Sequence, residues 1–263
     1  MSVDDAPERN GLMPVPTDPG RVRLSLMQGF QLSQEDHLVV LPFGAQRLIA
    51  FLALQNRPVL RVFVAGNLWI DKPEDVACGS LRSALWQLRR CGLEIVDATH
   101  RHLQLSASSY VDVREILTHA HQLIEGSCSS LGQQPHYLFT GELLPDWYED
   151  WVIVERERIR QLRLHALEAI GHRLIEQGRT IQAIEAGLAA VAADPLRESS
   201  HRLVISAHLA EGNRSEALRQ YEAYAQLLDE NLGLQPSERM AALIGSMRGS
   251  HTHVPRGLRV KAE

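Results

Sequence analysis

Residues 21–27 alternate along the chain, with Val22, Leu24 and Leu26 on one side and Arg21, Arg23 and Ser25 on the other. A period of two is that of a half-buried strand. Residues 29–32 and 37–41 continue as short strands around a turn at Gln34-Glu35-Asp36, which predicts a small antiparallel sheet. Beyond Pro42 the period changes. Over 45–55, Leu48, Ile49, Leu52 and Ala53, joined by Ala50, Phe51 and Leu54, predict a buried helix that ends before Pro58. Leu60, Val64 and Leu68 stand four residues apart and predict a second helix over 59–69, in spite of Gly66-Asn67 within it. Asp71-Lys72-Pro73 reads as a turn. Leu81, Leu85 and Leu88 form the core stripe of a third helix over 74–90, which Gly92 closes. Residues 93–96 and 102–105 are short strands, with 97–101 between them as a hairpin tip. Strands, three helices and a terminal hairpin follow one another in the order of a winged helix.

From Val113 onward the pattern is helical. Ser, Gly and Gln crowd the loop over 127–135. A long helix is expected from Trp147 to about Gln177, with Asp146 as its N-cap and Glu149 three residues on completing a capping box. Further helices are expected over 180–193, 197–211, 214–231 and 237–247. Two stretches superpose: Gly178-Arg179-Thr180-Ile181-Gln182-Ala183-Ile184 and Gly212-Asn213-Arg214-Ser215-Glu216-Ala217-Leu218. Their offset of 34 residues is the tetratricopeptide period. Glycine closes one helix and a small alanine lets the next lie close to its partner. Asp194-Pro195 and Gln235-Pro236 punctuate helix ends. The predicted fold class is therefore an α+β N-terminal winged helix followed by an all-α, tetratricopeptide-like repeat domain. The expected divisions are a disordered, proline-bearing tail over 1–20, a winged helix over 21–112, the repeats over 113–248 and a flexible tail over 249–263.

Composition narrows the class. The net charge is −5, but it is uneven: −3 over 1–20, +2 over 21–115 and −4 over 116–263. Any nucleic-acid contact belongs to the middle segment, whose positive balance is slight. Cys78, Cys91 and Cys128 form no CxxC pair, which suits a reducing compartment and not a disulfide framework. No apolar run is long enough to span a membrane, and MSVDDAPERN has no apolar segment behind it, so neither a membrane span nor a signal peptide is expected. The expected location is the cytoplasm.

Opposite the leucine stripe of the third helix stand Arg82, Ser83, Trp86, Gln87, Arg89 and Arg90. A recognition helix needs such a face, because arginine suits guanine edges and phosphates, glutamine suits adenine, and serine makes short contacts. His100 and Arg101 at the hairpin tip are placed to reach phosphate or a minor groove. The same pattern also suits an ordinary amphipathic helix with a solvated polar face. Other groupings carry less. The pairs His100/His102, His119/His121 and His251/His253 have no third ligand at a suitable spacing, so structural or surface roles are expected and no metal or cofactor is. Asp146, Glu149 and Asp150 stand at a helix start, where the macrodipole favours acids, so capping is expected and not paired-carboxylate catalysis. Glu155-Arg156-Glu157-Arg158 reads as a solvated, salt-bridged face, and Trp147, Tyr148 and Trp151 as a packing cluster at the domain junction. Gly126-Ser127-Cys128 lacks the context of a hydrolase nucleophile elbow. No enzymatic activity is expected.

The sequence resembles the SARP-type bacterial transcriptional activators, which join an OmpR/PhoB-type winged helix to a bacterial transcriptional activator domain of tetratricopeptide-like repeats. In the first region the resemblance is carried by residues 46–54 (QRLIAFLAL), by Leu68-Trp69 and by 81–90 (LRSALWQLRR). In the second it is carried by 139–151 (FTGELLPDWYEDW), 155–158 (ERER), 194–203 (DPLRESSHRL), 212–222 (GNRSEALRQYE) and 232–237 (LGLQPS). The resemblance implies a sequence-specific regulator that binds repeated sites in double-stranded DNA, contacts RNA polymerase and associates as a homodimer. There are departures. Trp86 and Gln87 stand where such winged helices place basic residues, and His102 and Leu103 replace the usual Gly-Tyr pair of the wing. No GxxxxGK[ST] occurs, so no ATPase segment is implied. An adaptor that binds proteins and not DNA is the alternative, favoured by Trp86 and the slight positive balance.

Overall fold

The structure is a computed structural model that describes residues 22–35, 37–127 and 141–248. The tails expected over 1–20 and 249–263, most of the expected loop over 127–135, and His251 and His253 lie outside the described residues. The described chain divides into two compact units, one running to Arg114 and including Leu144–Trp147, the other built from Glu115–Leu143 and from Tyr148 onward.

In the first unit β1 (Val22–Ser25) pairs antiparallel with β2 (Gln31–Gln34), and β2 with β3 (His37–Leu38). Leu24 lies opposite Leu32, and both are buried. That is the alternation read from the sequence. A fourth strand was not foreseen: β7 (Tyr110–Val111) joins β1 in parallel, giving the order β3-β2-β1-β7. Two residues are too few to show a period of two.

Three helices follow the first hairpin. The first, α1 (Phe43–Leu54), starts behind Pro42 and has its residues from Leu48 to Leu54 all buried. Arg114 closes its far end, donating from Nε to the Ala53 carbonyl at 3.0 Å and from Nη2 to that of Gln55 at 3.2 Å. The helix expected over 59–69 is corrected at its start. Val59 and Leu60 form a strand, β4 (Val59–Leu60), and only then does α2 (Arg61–Leu68) begin. Pairing with Leu103 and His102 holds the chain extended there, and Leu60 proves exposed, so it was no member of a helical stripe. The third helix, α3 (Glu74–Arg90), has the expected bounds, and Gly92 beyond it takes a φ of 70°. The terminal hairpin keeps its expected second strand, β6 (His102–Leu105), but its first, β5 (Val96–Ala98), starts three residues later than expected, so Asp97 and Ala98 are paired and the tip is Thr99–Arg101. With β4 they form a sheet in the order β4-β6-β5.

Two features fasten this unit. Asp112 accepts from Ser25 Oγ at 2.5 Å, from the N–H groups of Leu26 and Met27 at 3.0 Å and from that of Val113 at 2.7 Å. Burial pushes its carboxyl pKa up, against the pull of those four bonds. The second feature is a return of the chain. The Leu144 N–H donates to the Leu26 carbonyl at 2.9 Å, and Trp147 lies stacked 6.0 Å from Phe30 and edge-on 5.2 Å from Phe43. The expected aromatic cluster is thus divided: Trp147 is 8% exposed, whereas Tyr148 is 79% exposed and packs nothing away.

The second unit is helical. The helix α4 (Asp112–Glu125) starts in the first unit and supplies Ile116, Leu117, Ala120 and Leu123, all buried. The long helix starts three residues later than expected, as α5 (Asp150–Glu176), behind Glu149, which makes no side-chain cap. The capping box of Asp146 and Glu149 does not form, because Asp146 lies in a turn. Then come α6 (Thr180–Ala193), α7 (Glu198–Glu211), α8 (Arg214–Leu232) and α9 (Glu238–Arg248).

The 34-residue repeat holds at backbone level. Gly178 and Gly212 take φ values of 73° and 87°, and each lets its helix close with the same pair of bonds. Gly178 donates to Ile175 and Gly212 to Leu209, both at 3.0 Å, while Arg179 donates to Leu174 and Asn213 to His208, both at 2.8 Å. Such closure requires a left-handed residue, which glycine supplies without a Cβ clash. Ala183 and Ala217 are both fully buried. Asn213 accepts from the Glu216 N–H and caps α8, a bond Arg179 has no acceptor to copy. Two further glycines, Gly171 and Gly187, set how closely α7 approaches α5 and α6. A Cβ on Gly171 would stand 2.4 Å from Leu203 Cδ2, and one on Gly187 would stand 2.6 Å from Val204 Cγ2.

Polar groups lock the same helices. Glu168 on α5 accepts from Arg197 Nε at 2.8 Å, Ser199 Oγ at 2.5 Å and Ser200 Oγ at 3.1 Å. Burial works to raise its pKa, but these bonds and the Arg197 charge outweigh it and hold the carboxyl below its ordinary value near 4.5. His201 is buried between the Pro195 carbonyl and Gln220. Since a carbonyl only accepts, Nε2 carries the proton and Nδ1 accepts from the Gln220 amide, both at 2.8 Å. Burial depresses its pKa below the ordinary 6.5, and the bond to Pro195 offsets this only in part.

Both shifts are depressions, so both contribute stability that is present at neutral pH and lost as pH falls. His201 contributes a loss that starts below about pH 6.5, and Glu168 one that starts below about pH 4.5. Urea midpoints followed by helical circular dichroism are expected to fall between pH 7.5 and 5.5. His201→Gln is expected to flatten that interval and to leave the loss below 4.5 in place. An unchanged slope in this variant removes His201 as its source.

Candidate nucleic-acid interface

The geometry of α3 follows from its sequence. At 100° per residue, Ala77, Leu81, Ala84, Leu85 and Leu88 fall on one side, and all five are buried. Arg82, Ser83, Trp86, Arg89 and Arg90 fall within an arc of roughly 120° on the other side, and all five are exposed. Gln87 stands at the edge of this arc and is half-buried. Glu74 and Asp75 occupy the first turn and Arg89 and Arg90 the last, so the charges follow the helix dipole.

Within the face two residues are joined. The Arg90 guanidinium carbon lies 5.3 Å from the centroid of the Trp86 ring, and Trp86 is 59% exposed. A guanidinium over an indole face is held by a cation–π attraction worth about 0.5–1 kcal/mol at an exposed site. Trp86 thereby acts as a shelf for Arg90. Ser83 Oγ donates to the Gly79 carbonyl at 3.2 Å, which fixes its rotamer along the helix. Ahead of the helix, Lys72 Nζ donates to Ser80 Oγ at 3.2 Å.

At the hairpin tip His100 and Arg101 are exposed. Thr99 closes the turn: its N–H donates to the His102 carbonyl at 3.0 Å, and its Oγ1 accepts from the His102 N–H at 2.9 Å. Arg61 grips the tip from α2, its N–H donating to the Arg101 carbonyl and its Nε to the Thr99 carbonyl, each at 2.9 Å. Arg61 and Lys72 were missed by the sequence reading. Arg61 was hidden inside a helix drawn two residues too early, and Lys72 inside a turn read only for its punctuation.

Other expected candidates are placed as follows. In the ERER run, Arg158 pairs with Glu155 at 2.7 Å and Arg160, just beyond it, with Glu157 at 2.8 Å, whereas Arg156 turns to Glu142 at 2.8 Å. Among the described residues no group of three or more His, Cys, Asp and Glu side chains is arranged to hold a metal ion. No helix of the described residues is long and apolar enough to cross a membrane.

The family model described as the bacterial transcriptional activator domain matches residues 117–248. The chain is similar to the regulatory protein AfsR of Streptomyces coelicolor, with 26% identity over 207 residues that cover 72% of this chain. It spans only 20% of that protein's length. Among solved structures it is similar to Mycobacterium tuberculosis EmbR in complex with a low affinity phosphopeptide. The TM-score is 0.70 at 21% identity, over 89% of this chain and 66% of that one. The second likeness concerns the fold, and it agrees with a winged helix followed by helical repeats.

Proposed function

We propose, from the premise that this chain belongs to the bacterial transcriptional activator domain family, that it is a SARP-type transcription regulator that binds double-stranded DNA sequence-specifically through α3 and the β5–β6 hairpin. The observation that carries the reading is the exposed cationic face of Arg82, Arg89 and Arg90 with Ser83 and Trp86, set opposite a buried leucine stripe. In this reading α3 lies in the major groove and Gln87 and the arginines meet base edges and phosphates. His100 and Arg101 hold the backbone beside it. Residues 21–112 are then the DNA reader. Residues 113–248 mediate self-association as a homodimer and contact with RNA polymerase, and activation follows from that contact. The protein works by binding, without cofactor or catalysis, in the cytoplasm where its proposed partners are.

The test is an anisotropy titration of the full chain against a duplex from upstream of its own coding sequence, with scrambled competitor and at two salt concentrations. Binding is expected to resist the competitor and to fall steeply with salt, because neutralised phosphates release counterions. Arg90→Ala is expected to weaken binding to all sequences, and Gln87→Ala to narrow the gap between specific and scrambled duplex by about 5- to 150-fold, equivalent to roughly 1–3 kcal/mol. Unchanged binding in both removes this face from the reading. No binding at low salt by a folded chain removes DNA altogether. It favours the adaptor reading, in which exposed Trp86 and the helical repeats meet proteins.

A further inference from the structure

The hairpin tip is built from only three residues, Thr99, His100 and Arg101, and a tip so short has few bonds of its own. The Thr99 bonds to His102 close it across its base. What fixes its outer side comes from another element. The pairing of β4 with β6 sets Leu60 opposite His102, so the next residue, Arg61, arrives beside the tip as the chain turns into α2. Its N–H takes the Arg101 carbonyl and its Nε takes the Thr99 carbonyl. Both carbonyls that flank His100 are thereby held by one residue 38 positions upstream of Thr99. The Nε bond requires an arginine. A lysine carries the same charge, but its single terminal nitrogen lacks the planar fork that lets Nε bond sideways while the rest of the group points elsewhere. Among the described residues, Nε is the guanidinium nitrogen of Arg61 that bonds the protein.

We infer that Arg61 is the positioning residue of the hairpin tip, setting the backbone from Thr99 to Arg101 in advance so that His100 and Arg101 meet DNA without an ordering penalty. This rests on the DNA-binding reading for its consequence, but not for its geometry. A preset tip spares the entropy that a loose loop loses on binding. Loss of the Nε bond then weakens the tip's contact although the tip residues themselves are unaltered.

The experiment compares the full chain with Arg61→Ala and Arg61→Lys. The first readout needs no DNA: amide hydrogen exchange of the free protein at His102 and the tip residues. Exchange there is expected to quicken about five- to tenfold in both variants, while the buried amides of α3 keep their wild-type rates. The second is hydroxyl-radical footprinting on the duplex that the wild-type chain protects. Both variants are expected to keep the protection centred on α3, to lose that flanking it, and to bind about five- to tenfold more weakly. Wild-type exchange at the tip in Arg61→Ala overturns the inference, as does full recovery in Arg61→Lys, which makes Arg61 a charge and not a positioner. If the wild-type chain protects no duplex, the DNA reading fails on its own, and the exchange rates still decide whether Arg61 holds the tip.

Discussion

Gly171→Ala is expected to destabilise the helical unit by about 1–3 kcal/mol, although alanine is the better helix former by about 1 kcal/mol. The reason is the approach of α7. The new methyl would stand 2.4 Å from Leu203 Cδ2, 2.9 Å from Cδ1 and 3.1 Å from Cγ, so rotation about the Cβ–Cγ bond alone does not clear it. Leu203 is fully buried. The two helices must separate, or Leu203 must leave its rotamer. Urea unfolding of the single variants and of Gly171→Ala/Leu203→Ala measures this directly. The double variant is expected to be more stable than the sum of the single losses, because truncating Leu203 removes the collision. Additive losses would show that the clash is absent.

Asp112→Ala is expected to cost the first unit about 2–5 kcal/mol. It strips the partner from the N–H groups of Leu26 and Met27 and from Ser25 Oγ at once. A buried donor left without an acceptor costs about 1–3 kcal/mol. Asp112→Asn is expected to lose about half as much, since one amide oxygen can still accept. Thermal unfolding at pH 7 checks both. A loss under 1 kcal/mol in Asp112→Ala would mean that water replaces the carboxylate and that β1 is not tied down by it.

Much of the fold was legible because its elements are periodic. α3 and α6 fall where the hydrophobic spacing put them, since a leucine or alanine stripe of three or more turns has one solution. The glycine–alanine repeat was legible for the same reason: Gly178 and Gly212 answer one backbone demand, and Ala183 and Ala217 one packing demand. The misplacements occurred where the signal was short or the partner remote. Val59 and Leu60 gain strand character from Leu103 and His102, more than forty positions away, and nothing local announces it. β7 is two residues long. Asp146 had the right chemistry for a cap, but Trp147 is drawn to Phe30 and Phe43, and the helix waits until Asp150. In the candidate site the α3 face was readable as a surface. The Arg90–Trp86 stack and the grip of Arg61 on Thr99 were not, because each depends on where a side chain points and not on which residues recur.

The return of Leu144–Trp147 to the first unit has a consequence for synthesis. A winged helix read along the sequence is complete when its terminal hairpin has emerged from the ribosome. Here the Leu26 carbonyl and the rings of Phe30 and Phe43 wait for a segment made roughly 30 residues after Arg114, a delay of about 2–6 s at ordinary elongation rates. During that interval α4 is already made, and the nascent first unit lacks the ring that packs on Phe30 and Phe43. The N-terminal unit therefore reaches its finished form only with the chain committed to the repeats.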